Sequence, residues 1–192
     1  MKSIARLWPL CLLLCAAAGD APPVRPTVAA EVTYKTIRGI SETGPKKLVL
    51  RWSKEWTRVD AYIFEDGKWP FESRIHNSSD QSLKILVYRQ QTVVLTSEND
   101  LQIPALTAPA GSSFAKGESI KVLGRDCTQW TVTPPTAADA FTACIDAEGL
   151  VLRTTSEKRE LEAVAVKVGP LPDSAFEVPL DLKPMAVKKE GK

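Results

Sequence analysis

Histidine is almost absent from this chain: His76 stands alone among 192 residues. That excludes an H-E-x-x-H helix, a three-histidine zinc site and any histidine pair. No G-x-S-x-G elbow is present to expose a nucleophile, so a Ser-His-Asp triad has nothing but arithmetic in its favour. Glycine is scarce, 10 residues of 192, and neither a Walker A loop nor G-x-G-x-x-G occurs; phosphate cradling therefore lacks support. C-x-x-C is missing as well, which removes the usual redox pair. Neither a metal nor a cofactor is expected. No apolar run reaches the ~20 residues that span a bilayer as a helix, so an integral membrane protein is not expected.

What stands at the start of the chain is an address. Lys2 and Arg6 precede the uncharged run Leu7–Ala18, and Ala16 and Ala18 have the −3 and −1 spacing of a small-residue cleavage site. This is the layout of a secretory signal peptide over residues 1–18, cut after Ala18. A lipoprotein anchor needs a small residue before its cysteine, yet Leu10 precedes Cys11 and Leu14 precedes Cys15. The expected location is periplasmic or secreted. Two cysteines remain after cleavage, Cys127 and Cys144, and in an oxidising compartment an isolated pair reads as one structural disulfide. The formal charge of +2 falls to 0 when Lys2 and Arg6 leave, so the overall field attracts neither nucleic acid nor an anionic membrane.

Residues 19–30, with Pro22, Pro23 and Pro26, read as an extended leader. From Glu31 the dominant period is two. Leu48, Leu50 and Trp52 alternate with Lys47, Val49 and Arg51, and Val59, Ala61 and Ile63 with Arg58, Asp60 and Tyr62, the mark of strands with one face in a core and the other wetter. Further strand runs fall at 69–75, 82–89, 91–97, 118–124, 126–133, 140–145, 149–156 and 159–168. Their close spacing and intervening turn residues suit an antiparallel meander. Glu98–Gly111 and Thr136–Phe141 each have room for a short helix at most. Gly169–Pro179 reads as a closing arm carrying Leu171, Phe176 and Val178 along the sheet. The expectation is one β-rich domain over 31–180 with about 10–11 strands and one or two short helices. Its form is a single curved antiparallel sheet or incomplete barrel; the alternative is a two-sheet sandwich. Residues 181–192, with Lys188, Lys189 and Lys192, read as a disordered tail.

Chemistry is thin. His76 precedes the turn-like Asn77-Ser78-Ser79-Asp80 and reads as a solvated loop histidine. Asn77-Ser78-Ser79 fits a glycosylation acceptor in a eukaryotic secretory pathway. Glu55, Asp60, Glu65, Asp66 and Glu72 are near in sequence, which leaves a carboxylate hydrolase as a minor reading. Trp52, Trp56, Trp69 and Trp130 read as core filling, with a ligand platform as the alternative. Arg153 follows an apolar run and has Asp126 or Asp146 as expected partners.

Three late segments carry a resemblance. Gly124–Trp130 (G-x-x-C-x-x-W), Cys144–Arg153 (C-x-x-x-x-G-x-x-L-R) and Pro170–Pro179 resemble a disulfide-bearing branch of the LolA-like superfamily, the fold of the periplasmic carrier of outer-membrane lipoproteins. The resemblance implies an incomplete barrel able to hold acyl chains, and a lipid or other apolar molecule as partner. No lipid-contacting residue carries over. From alternation alone, Leu48, Leu50, Trp52, Val59, Ala61 and Ile63 are the candidate lining of an apolar interior. The competing expectation is an envelope interaction module whose core is filled by its own side chains.

Overall fold

The computed structural model describes residues 21–23, 25–39, 44–96, 108–136 and 140–185. The chain forms β1 (Ala30–Arg38), β2 (Lys47–Trp52), β3 (Trp56–Tyr62), β4 (Glu72–Asn77), β5 (Leu83–Val87) and β6 (Thr92–Thr96). Then follow β7 (Ser113–Val122), β8 (Arg125–Thr133), β9 (Phe141–Asp146), β10 (Val151–Ser156), β11 (Glu160–Val168) and β12 (Lys183–Met185). All twelve belong to one sheet, ordered β12-β6-β5-β4-β3-β2-β1-β11-β10-β9-β8-β7. Two meanders, β1–β6 and β7–β11, are joined by the antiparallel β1–β11 pair. The two edge strands do not meet, so the sheet is curved but open, not a sandwich. The signal peptide lies outside the described residues.

Several expectations need correction. The described helical segments are two 3-10 turns, Tyr88–Gln90 and Asp173–Phe176. Most of Glu98–Gly111 and the middle of Thr136–Phe141 lie outside the described residues. Lys183–Met185, inside the expected tail, adds to β6 as a parallel strand, and residues 186–192 of that tail lie outside the described residues. β7 begins five residues earlier than its alternation announces, since its exposed edge position asks for little apolar patterning.

Turn chemistry and bulges shape the sheet. Leu123 (φ 52°) and Gly124 (φ 76°) form the two-residue turn between β7 and β8, both left-handed as that hairpin requires. Gly149 (φ 81°) also admits the leader: a Cβ there would stand 2.7 Å from the Arg25 carbonyl oxygen. Register shifts break β1–β11, β7–β8 and β9–β10, and bulges of this kind bend a sheet. From β1 through β6 the registers run without a shift. Each residue's face in that half can therefore be read by pairing.

One face of that half is the inside of the curve. Val32, Leu50 and Val59 form one of its rows; Tyr34, Leu48 and Ala61 form the next. Tyr34 reaches past β11 to donate its hydroxyl to the Val151 carbonyl on β10, 2.6 Å away. Burial, then the charge of Asp146, pushes its phenol well above the ordinary range, so it stays a donor. The core gathers here: Val32, Leu50, Leu150, Leu152 and Leu161 are completely buried. Each fully buried Leu or Val is worth roughly 1.5–3 kcal/mol over an exposed one.

The outer face is covered by the C-terminal arm. Ile75, Leu86 and Val93 pack with Leu171, Phe176, Val178 and Leu182, as the arm's apolar residues require. Beneath it lies a buried ionic cluster. Asp60 accepts from Arg51, from Arg58 Nε at 2.7 Å and from the Ser73 hydroxyl. Arg58 also donates to the carbonyls of Ala175 and Glu177, each at 3.2 Å, which ties the arm to β3. Glu31 joins through Arg51 at 2.7 Å and Lys167 at 3.1 Å.

Candidate functional site

Four of the six residues expected to line an apolar interior, Leu48, Leu50, Trp52 and Val59, lie buried in the main core. Ala61 packs against its margin, and Ile63 is half-buried just past the end of β3. The register places Leu48, Leu50, Trp52, Val59 and Ala61 on one face, the first four enclosed by neighbours; Ile63, past the strand end, has no register partner.

Beyond Ala61 the same face continues in a different state. The row Leu50–Val59 extends through Arg74 and Ile85 to Val94. Beside it, Leu48–Ala61 extends through Glu72 and Val87 to Thr92. Ile85, Val87 and Val94 remain partly exposed, and none belongs to a described core cluster. Arg74 and Glu72 pair across 2.8 Å in the middle of this apolar strip. The result is a half-exposed apolar strip on the inner face of β3–β6, here called the trough, with the Arg74–Glu72 ion pair lying across it.

His76 marks one end of the trough, and here the loop expectation is corrected. It lies in β4 opposite Thr57 and Leu83 and is 6% exposed, because the strand runs on through Asn77, two residues past its expected end. Its Nε2 is buried without a hydrogen-bond partner, as is Thr92 Oγ1 on the same face. Burial, then the charge of Arg25, holds the His76 imidazole below its ordinary value of 6.5. Glu31 is also held low: burial pushes it up, but hydrogen bonds and charges from Lys167 and Arg51 outweigh that.

Both groups bind protons more readily in the unfolded chain, so both oppose folding in acid. The His76 contribution is complete above pH 6.5 and is lost as pH falls through the depressed folded value. That of Glu31 is lost below its ordinary 4.5. The melting temperature should therefore fall steadily from pH 7 to pH 4. In His76→Gln the part of the decline nearest pH 6 should flatten. A wild-type melting temperature constant between pH 7 and pH 5 would contradict this assignment.

The remaining candidates disperse. Asp60 and Glu72 occupy opposite faces of the sheet, since Asp60 pairs with Ser73 and Glu72 with Ala61. These two therefore cannot act together as an acid-base pair. Among the described residues no three of His, Cys, Asp and Glu gather as metal ligands. Trp52 and Trp130 are core residues, Trp56 stacks on Phe176 at 6.5 Å, and Trp69 is exposed. Arg153 pairs with Glu162, its register partner on β11. The expected acids are taken: Asp146 by Arg125 at 2.8 Å and Asp126 by Lys121 at 2.8 Å.

Cys127 and Cys144 are joined, with Cα atoms 5.4 Å apart on β8 and β9. Next to them lies a pocket of about 340 Å³ between β7–β9 and the leader, walled by Trp130, Ile145, Lys116 and Pro22. None of the six expected lining residues reaches it. The alternation of Ile85 and Val87 against Leu86 and Tyr88 is visible in the sequence. It does not say which set meets the arm and which meets the trough.

No family model matches the chain, and no curated protein matches it. Solved structures do. An uncharacterized conserved protein from Thermus thermophilus is similar with a TM-score of 0.57 at 12% identity, over 83% of this chain and 90% of that one. MucB in the Pseudomonas aeruginosa MucA/MucB complex is similar with a TM-score of 0.51 at 13% identity; the match takes in 84% of this chain and 59% of that one. The likeness is one of fold. LolA superfamily proteins are among the similar structures, one from Nitrosomonas europaea at a TM-score of 0.41 and 9% identity over 80% of this chain and 92% of that one.

Proposed function

We propose that the protein is exported to the periplasm, cut after Ala18, and binds an apolar or lipidic ligand without catalysing a reaction. The observation that carries this reading is the trough: Ile85, Val87 and Val94 keep the phase of the core yet stay partly exposed around Arg74. An acyl chain laid there gains about 0.8 kcal/mol per buried CH₂, so ten methylenes bring a gross gain on the order of 8 kcal/mol. An anionic head would meet Arg74 in competition with Glu72, 2.8 Å from its guanidinium. The signal-like first 18 residues and the disulfide favour an extracytoplasmic compartment.

Ala61→Trp, at the inner end of the trough, tests the reading. An indole there should block ligand uptake and cost about 1–3 kcal/mol of stability by crowding the core margin. Native mass spectrometry of wild type and variant, each purified without detergent, should show a lipid adduct on the wild type alone. Equal adducts on both, or none on either, would count against the trough.

A second reading, an envelope interaction module, has its own support. The innermost part of the curve is filled by the chain's own side chains, and MucB, similar in fold, is known in a complex with MucA. In that reading the outer surfaces of the sheet do the binding.

A further inference from the structure

Trp69 and Phe64 are 82% and 69% exposed, and both belong to the turn between β3 and β4. A large aromatic ring left in water gives up the apolar burial it would gain elsewhere. The turn that carries them is well held. Gly67 N–H bonds the Phe64 carbonyl at 3.2 Å, Lys47 Nζ donates to the Gly67 carbonyl at 3.0 Å, and the same ammonium sits 4.2 Å over the Tyr62 ring. The two rings are thus presented on a braced support, with little ordering left to do on binding. Ile37, 52% exposed near the end of β1, adds apolar surface at the same end of the sheet.

Charge at this end decides the partner. Lys68 lies between the two aromatics in sequence, and Arg38, Lys46, Arg89 and Arg159 lie on the neighbouring strand ends and turns. Glu65 is already paired with Lys35 at 3.2 Å. Asp66 and Glu157 lie in the described turns here, and at the strand ends Glu160 stands opposite Arg38 while Glu72 is paired with Arg74 at 2.8 Å, which leaves the cations in excess. The near-neutral mature chain therefore has a locally cationic end tipped with aromatics. That combination matches an anionic bilayer surface, where basic side chains meet phosphates and Trp and Phe enter the headgroup boundary.

We propose that the β3–β4 turn docks the protein on an anionic phospholipid membrane through Trp69 and Phe64. This contact is separate from the trough: failure to bind vesicles leaves lipid uptake in solution untouched, and failure of uptake leaves docking untouched.

Vesicle flotation of the purified protein tests it, with phosphatidylglycerol and phosphatidylcholine in equal parts against phosphatidylcholine alone. Wild type should float with the mixed vesicles and less with the neutral ones, and added salt should weaken the association. Phe64→Ser with Trp69→Ser should reduce binding at least about tenfold, and Lys46→Glu with Lys68→Glu should reduce it on anionic vesicles only. Brominated lipid should quench Trp69 fluorescence in the wild type, an arm that needs no mutation. A wild type that does not float, equal flotation of the serine variant, or no quenching by brominated lipid would overturn the proposal.

Discussion

Asp60→Ala should destabilise the protein by about 3–5 kcal/mol, the range seen when one partner is removed from a buried ion pair. Asp60 is 3% exposed and takes both guanidiniums and the Ser73 hydroxyl on its two oxygens. Without it, Arg51 and Arg58 face each other beneath the arm with no anion between them. Arg51 keeps Glu31; Arg58 keeps the Tyr88 hydroxyl and two carbonyls, none of which carries charge. For a domain of this size the loss corresponds to a drop of roughly 6–20 °C in melting temperature. Amide exchange should rise in the arm, where Ala175 and Glu177 depend on Arg58. A variant melting within about 2 °C of wild type, well below that drop, would show that the cluster is dispensable to the fold.

Removing the disulfide should cost about 3 kcal/mol. Cys127 and Cys144 close a short loop, 17 residues apart in sequence, and the chain-entropy model gives about that value for such a loop. Both are 2% exposed within the main core, so Cys127→Ala with Cys144→Ala also deletes two packed sulfur atoms. The sheet itself should survive, because β8 and β9 are paired along their length from Cys127–Asp146 to Val132–Phe141. The urea midpoint of the double variant, compared with wild type at equal slope, gives the size. A midpoint unchanged by the substitution would mean that the bond closes a loop already ordered in the unfolded chain.

How much of this was legible follows the regularity of the pairing. Leu48, Leu50, Trp52, Val59 and Ala61 announce one face because β2 and β3 pair without a bulge, and period two then has a single meaning. Where a bulge intervenes, alternation loses its frame. Arg153 follows the shift between Val151 and Arg153, and its partner is Glu162, across the β10–β11 hairpin and not on the β8–β9 side where the expected acids lie. The β1–β11 join is not written in any local pattern, since it links residues more than a hundred positions apart. His76 misleads for another reason: a polar turn follows it directly, yet the strand runs on to Asn77. The trough itself is half legible. Ile85 and Val87 declare themselves apolar, but the arm claims Leu86, and nothing before residue 169 says that it will.

The closing arm and the cysteine pair were readable because each follows from a strong constraint. Prolines flank Leu171, Phe176 and Val178 and rule out a long helix there, and two cysteines left by the expected cleavage have one another as partners.

The central claim, that the inner face of β3–β6 holds an apolar ligand, meets its most direct test in native mass spectrometry of protein purified from its own cell envelope without detergent. The account predicts a wild-type mass above that of the polypeptide by one lipid, released on activation, and a bare polypeptide for Ala61→Trp. A bare wild type that also fails to take up added fatty acid or phospholipid would contradict it.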